Sequence, residues 1–273
     1  MVTFPNAKIN IGLNITTRRN DGYHNIESIM MPIPWCDILE IVPAKGTETS
    51  LTIYGREVNC PTEKNLVMRA YRAMEQLYNL PAVEIYLNKI IPDGAGLGGG
   101  SSDAAFTLTT LNKIFELGAS NEELASIAST IGADCPFFIY NTPMFASGIG
   151  TELSQISLDL SGYNILVVKP HVNVPTAQAY AGVTPSMPIH SLSTLISAPI
   201  EQWQTTIKND FEDSIFPKNP IINKCKQQII EMGAIYTSMS GSGSAVYGIF
   251  KRDKLSEDTI LDFKQCDTFI GKL

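Results

Sequence analysis

The sequence predicts an α+β protein of two domains, and three observations lead there. Predicted strands and helices follow one another without the regular alternation that a doubly wound parallel sheet imposes. A chain of 273 residues is longer than most single cores. A stretch rich in small and polar residues, 147 to 162, interrupts the pattern and holds the expected boundary, which separates 1–156 from 157–273.

The elements can be taken in order. Residues 7 to 15 alternate strictly, with Ala7, Ile9, Ile11, Leu13 and Ile15 on one face and Lys8, Asn10, Gly12 and Asn14 on the other. That pattern predicts a half-buried strand with a polar outer face. Residues 18 to 22 read as a turn. Further strands are expected at 38–42, 50–54 and 83–89. Residues 65–78 carry Leu66, Ala70, Ala73, Met74 and Leu77 along one side of a helix. A second helix is expected from about 101 to 115 and a third over 121–131, capped by Ser120 or Asn121. A strand is expected near 136–140. Beyond the boundary come a strand at 164–169, helices near 177 and 221–232, and strands at 235–239 and 245–250. No internal repeat stands out.

Composition narrows the function classes. Hydrophobic residues at 44% and charged residues at 17% suit a globular protein. A formal charge of -7 argues against a general nucleic-acid binder. It does not argue against a nucleotide ligand, whose phosphates are held by local dipoles and one or two cations. No apolar run is long enough to span a bilayer, and the first residues lack the blocks of a secretory signal. Five scattered cysteines without a C-x-x-C pair lead us to expect reduced thiols in a cytoplasm. His171 and His190 match no functional pattern.

Most information lies in Pro92, Asp93, Gly94, Ala95, Gly96, Leu97, Gly98, Gly99, Gly100, Ser101 and Ser102. The segment follows a predicted strand and leads into a helix. Five glycines in seven positions let the backbone approach a ligand without a Cβ in the way. Amides at the positive end of a helix make a polyphosphate site, and two hydroxyls follow. A flexible linker would lack this framing. Gly94-x-Gly96-x-x-Gly99 matches the dinucleotide fingerprint in letters only, because the chain passes from one helix straight into another. A Walker loop is excluded because no Lys follows Gly100.

The loop resembles that of the kinases of galactose, homoserine, mevalonate and phosphomevalonate. Four more segments are similar to the branch of that superfamily acting on a cytidine diphosphate conjugate of methylerythritol, in the non-mevalonate route to isoprenoid precursors. They are residues 7–10, 21–24, 132–136 and 240–244. The resemblance implies an N-terminal ATP-binding domain like domain 2 of ribosomal protein S5 and a ferredoxin-like C-terminal domain. It implies ATP and Mg²⁺ as cofactors, with ATP along residues 92–102. It makes Asp134 the base that takes the proton of the substrate's 2-hydroxyl and Lys8 the cation beside it. Substrate contacts fall to Asn10, Tyr23, His24, Thr176, Tyr180, Gly241, Ser242 and Gly243.

Read from the residues alone, Asp134 could equally be a loop or cap aspartate and Lys8 a solvated strand lysine. Asp93 would be unfavourable on the phosphate path, so its carboxylate is expected to point away. No acidic metal ligand can be placed, which leaves Mg²⁺ to the nucleotide, Ser102 and water. The expected partner is the small cytidine diphosphate substrate, without nucleic acid or membrane, on a monomer or weak homodimer. A sibling kinase for mevalonate, homoserine or a sugar is the nearest alternative. A non-catalytic nucleotide-binding protein is a more distant one.

Overall fold

A computed structural model of the chain describes residues 1–255 and 262–273. The expected C-terminal segment 157–273 therefore includes six residues, 256–261, outside the described ones. The chain forms two compact units, neither of them one continuous stretch. The first comprises 1–7, 35–93 and 98–142, the second 8–34, 94–97 and 143–273.

The first unit is built on a sheet of order β1-β4-β6-β5, with β1 Val2–Thr3, β4 Ile38–Pro43, β5 Ser50–Gly55 and β6 Val83–Lys89. β5 and β6 are parallel and the other pairs antiparallel. On β6 the alternation buries Val83, Ile85 and Leu87, and continues to Lys89. Four helices complete the unit: α1 Leu66–Tyr78, α2 Gly99–Ile114, α3 Asn121–Ile131 and α4 Cys135–Tyr140. Asn65 caps α1 by accepting from the Val67 amide at 2.9 Å. Ser120 and Glu123 form a reciprocal capping box on α3.

α4 corrects the strand expected at 136–140. Pro136 sits in its first turn, where its fixed φ suits a helix and its missing N–H costs nothing. Cys135 to Ile139 are all buried, so no periodicity marked the element type.

The second unit holds two antiparallel sheets. One has the order β2-β3-β7-β8, where β2 is Asn6–Arg18, β3 His24–Cys36, β7 Met144–Ser147 and β8 Glu152–Gln155. The other has the order β10-β11-β9-β12, with β9 Tyr163–Pro170, β10 Tyr236–Met239, β11 Val246–Lys251 and β12 Cys266–Lys272. Counted along the chain its order is 2-3-1-4, in accord with the ferredoxin-like expectation. Short helices α5 Thr176–Ala181, α6 Leu192–Leu195, α7 Trp203–Thr206 and α8 Phe211–Ile215 precede α9 Pro220–Glu231. Leu166, Val168, Ile222, Ile229, Val246 and Phe250 lie in the core between α9 and its sheet. All five cysteines are free, with the Cys225 and Cys266 sulfurs 3.9 Å apart.

One further expectation is corrected here. β2 is buried on both faces from Asn6 to Thr16, so its polar side does not face water. Part of the small, polar stretch at 147–162 is the strand β8, paired with β7.

Candidate active site

Lys8 and Asn10 point to the same side of β2, one period of two apart, and both are buried. A buried ammonium and a buried amide need partners. Lys8 Nζ donates to Asn10 Oδ1 at 2.5 Å, and Asn10 Nδ2 donates to Ser28 Oγ at 2.8 Å. The Asn10 amide donates to Ser240 Oγ, and its carbonyl accepts from the Tyr247 hydroxyl. Asn10, expected as a substrate contact, bonds Lys8 and Ser28 through its side chain.

The middle of the glycine segment, 94–97, belongs to the same unit and is pinned by its carbonyls. Ala95 O accepts from Ala245 N at 3.1 Å, Gly96 O from Ser240 Oγ at 2.8 Å, and Leu97 O from Lys8 N at 2.9 Å. With those carbonyls engaged, the segment lies against the 240–244 loop. Contact is so close that a Cβ at Gly96, where φ is +75°, would fall 2.0 Å from the Ser240 carbonyl oxygen. The 240–244 loop is itself held by residues the sequence reading passed over. Asn209 Nδ2 donates to the Met239 and Gly241 carbonyls, both at 2.8 Å. Glu212 accepts from the Met239 amide and from Lys226. Nothing local marks Asn209 or Glu212 in the sequence, because Lys208, Asp210 and Asp213 beside them are charged as well.

Four of the expected substrate residues meet in the second unit. The turn after β2 is closed by Asp21, which pairs with Arg19 and accepts from the Tyr23 amide at 3.1 Å. Those bonds hold the Asp21 carboxyl below its usual range, the arginine contributing most. Tyr23 is exposed, while His24 stacks on Tyr180 with centroids 5.1 Å apart and planes 18° apart. Tyr180 in turn meets Phe211 edge-on. Thr176 Oγ1 lies 3.3 Å from Ser242 Oγ, which joins the start of α5 to the 240–244 loop.

The first unit holds the end of the glycine segment and Asp134. Gly98, at φ +70°, precedes α2 and provides no side-chain cap, so the first amides of that helix are left for another acceptor. Gly94, Gly96 and Gly98 all have positive φ. Ser102 is fully buried, and its Oγ has no hydrogen-bond partner among the described residues. Asp134 is half-buried at the start of α4. Its turn packs on the first turn of α2: a Cβ at Gly132 would lie 3.1 Å from Cys135 Sγ and 3.9 Å from Ser101 Oγ. Burial pushes the Cys135 thiol up to about 11.

Next to α2 lies a cavity of about 220 Å³ that the sequence reading did not reach. Lys64, Asn65, Leu66, Asp93, Gly100 and Asp103 are among its lining residues. Asp93 is exposed at this wall. Among the described residues no group of three or more His, Cys, Asp or Glu could hold a metal ion, and no helix is long and apolar enough to cross a membrane.

A glycine segment opening a helix, with two hydroxyls in its first turn, suits a protein that binds a polyphosphate. Residues 65–142 match the GHMP kinases N terminal domain and residues 195–264 match GHMP kinases C terminal. The chain belongs to the GHMP kinases and is an ATP-dependent kinase. Within that family its relatives are 4-diphosphocytidyl-2-C-methyl-D-erythritol kinases. It is 49% identical to the one from Parabacteroides distasonis over the whole of both chains. It is 50% identical to that of Azobacteroides pseudotrichonymphae, over 92% of this chain and 94% of the relative. A crystal structure of 4-(cytidine 5'-diphospho)-2C-methyl-D-erythritol kinase superposes with TM-score 0.85 at 29% identity, covering 99% of this chain and 98% of that one. Homoserine kinase from Cytophaga hutchinsonii shares the fold, with TM-score 0.71 at 17% identity, covering 98% and 94%.

Proposed function

We propose that this kinase transfers the γ-phosphoryl group of ATP to the 2-hydroxyl of 4-diphosphocytidyl-2-C-methyl-D-erythritol. The observation that carries the reading is the uncapped helix start at Gly98–Gly99, preceded by glycines at positive φ, which suits a polyphosphate. The relatives' names narrow the acceptor. The polyphosphate lies along residues 92–102, and its nucleoside enters the cavity beside Asn65 and Gly100.

In the transfer, the acceptor hydroxyl forms a new bond to the γ-phosphorus as the bond to the β–γ bridging oxygen breaks, and ADP leaves. Asp134 takes the hydroxyl proton and Lys8 offsets charge on the transferring group. The pinning of Lys8 by Asn10 supports this, because a held ammonium needs no reorganisation at the moment of reaction. Ser102, the nucleotide and water would hold Mg²⁺, which would supply charge neutralisation on the phosphates. The buried, unpartnered Ser102 Oγ is a polar group left over that suits the phosphate or the hydrated ion.

At the acceptor end, Tyr23, His24 and Tyr180 take the cytosine by stacking and hydrogen bonding, with Thr176 and residues 241–243 alongside. Residues 1–156 act as the ATP-binding domain and 157–273 supply the rest of the acceptor site. The enzyme works in the cytoplasm as a monomer or weak homodimer.

The test is coupled ADP release with Mg-ATP, comparing the cytidine conjugate with mevalonate, homoserine and galactose. Turnover with the conjugate alone is expected. Turnover with another acceptor overturns the use made of His24 and Tyr180.

A further inference from the structure

Lys89 ends the buried face of β6, where Val83, Ile85 and Leu87 precede it at every second position. A lysine in an apolar row is expensive unless paired. It is paired twice. Its Nζ donates to Asp37, at the junction of β3 and β4, and to Asp103 Oδ2 of α2 at 2.7 Å. Asp37 is fully buried, and its Oδ1 also accepts the backbone amides of Ile90 at 2.5 Å and Ile91 at 2.8 Å. Asp103 is also buried, and its Oδ1 has no partner among the described residues.

These bonds lie at both ends of one segment. Ile90 and Ile91 are the last residues before Pro92, and Asp103 is the first after Ser102. One carboxylate grips the backbone running into the glycine segment, the other rides on the helix running out, and a single ammonium joins them. The helix start rests on this joint: a Cβ at Gly99 would lie 3.0 Å from Ile91 Cγ2 and 3.3 Å from Lys89 Nζ. Two carboxylates around one buried ammonium are a poor way to gain stability, since an apolar trio of similar volume is commonly as stable or more so. The arrangement does supply directional bonds at fixed lengths, which is what a phosphate loop requires.

We propose that Asp37, Lys89 and Asp103 are positioning residues for the nucleotide, fixing the separation between the strand that leads into the glycine segment and the helix that leaves it. The polyphosphate of a nucleoside triphosphate is the ligand served, and the proposal rests on the reading that residues 92–102 carry it. The three side chains act through the loop backbone, which makes their signature a change in nucleotide KM without a matching change in acceptor KM.

Steady-state kinetics of the purified enzyme test this with Asp103→Ala, Asp103→Asn and Gly100→Val, alongside melting temperatures. Asp103→Ala is expected to raise the ATP KM about tenfold and leave the acceptor KM within about twofold. Asp103→Asn, which keeps an oxygen for Lys89, is expected to recover most of that loss. If Asp103→Ala does not fold, Asp103→Ser, too short to reach Lys89, is judged by the same two constants. A folded Ala or Ser variant whose ATP KM is unchanged, or whose two KM values rise together, overturns the proposal. Gly100→Val separates this from the loop reading, because a Cβ there meets only Leu66 Cδ1 at 3.8 Å and faces no backbone clash. An unchanged ATP KM in Gly100→Val overturns the loop reading itself. A raised one, beside an unaffected Asp103→Ala, overturns the positioning role alone.

Discussion

The His24 imidazole lies nearly parallel to the Tyr180 ring, 5.1 Å away, and Tyr180 also meets Phe211 edge-on. Two flat groups at that spacing leave no room for a third between them, since stacked rings already touch at this distance. A cytosine must therefore stack on an outer face or part the pair. If it parts the pair or takes the open face of Tyr180, the Tyr180 ring is its stacking partner. Tyr180→Ala is expected to raise the acceptor KM about fivefold to tenfold, the scale of one aromatic contact, with the ATP KM unchanged. Equal KM values for both substrates in mutant and wild type would remove Tyr180 from the acceptor site.

Asp134→Asn should melt within a few degrees of the wild type, because asparagine keeps the size and shape of a half-buried side chain at the start of α4. Turnover should fall about 10²-fold or more, the usual contribution of a general base. The loss belongs in kcat at saturating ATP and acceptor. A variant that turns over at near-normal rate would take Asp134 out of the mechanism.

Much of the first unit was legible because its elements carry local signals. The alternation of β6 and the apolar stripe of α1 are period-2 and period-3.6 patterns, and Ser120 and Glu123 announce α3 outright. β3 was invisible because Pro32 and Pro34 lie within it, and proline ordinarily demotes a strand. α4 is too short and too uniformly buried for periodicity to tell it from a strand. Among the candidate site residues, the glycine segment and the placing of Lys8 and Asn10 on one side of a strand could be read from spacing, while the roles of Lys8 and Asn10 came only from the resemblance. The Asp37–Lys89–Asp103 cluster could not, since its members are 52 and 14 residues apart in pairing and only the fold joins them. The one hint was a lysine falling in register with Val83, Ile85 and Leu87.

Gly96 offers a test of the 94–97 segment that needs no substrate. Its φ of +75° disfavours any side chain, and a Cβ would meet the Ser240 carbonyl at 2.0 Å, far inside contact distance. That neighbour is backbone held by its own hydrogen bonds, so it cannot swing aside. Gly96→Ala should cost on the order of 2–4 kcal/mol in urea unfolding, combining backbone strain with displacement of the 240–244 loop. A cost below about 0.5 kcal/mol, the level of an ordinary surface change, would show that the two loops are not packed this closely.

Asp103 gives the protein a pH signature. Burial is the main cause that pushes its carboxyl from an ordinary 3.8 up to about 7, and the Lys89 ammonium only partly offsets it. Asp37 adds to the rise, and Lys64 and Asp93 are the other charged groups lining the adjoining cavity. Asp37 already has the lysine and two amides, whereas Asp103 has the lysine alone and an unpartnered oxygen, so Asp103 is the member that takes the proton. With the folded value above the unfolded one, the folded state binds the extra proton between about pH 4 and 7. This group's contribution is thus fully present below pH 4 and lost as pH rises through 7, at up to about 1.4 kcal/mol per unit. Asp103→Asn removes the titration. Urea unfolding at pH 5 and pH 8 should show the wild type losing stability relative to the variant as pH rises. Parallel profiles for the two proteins would mean that Asp103 keeps one charge state across that window.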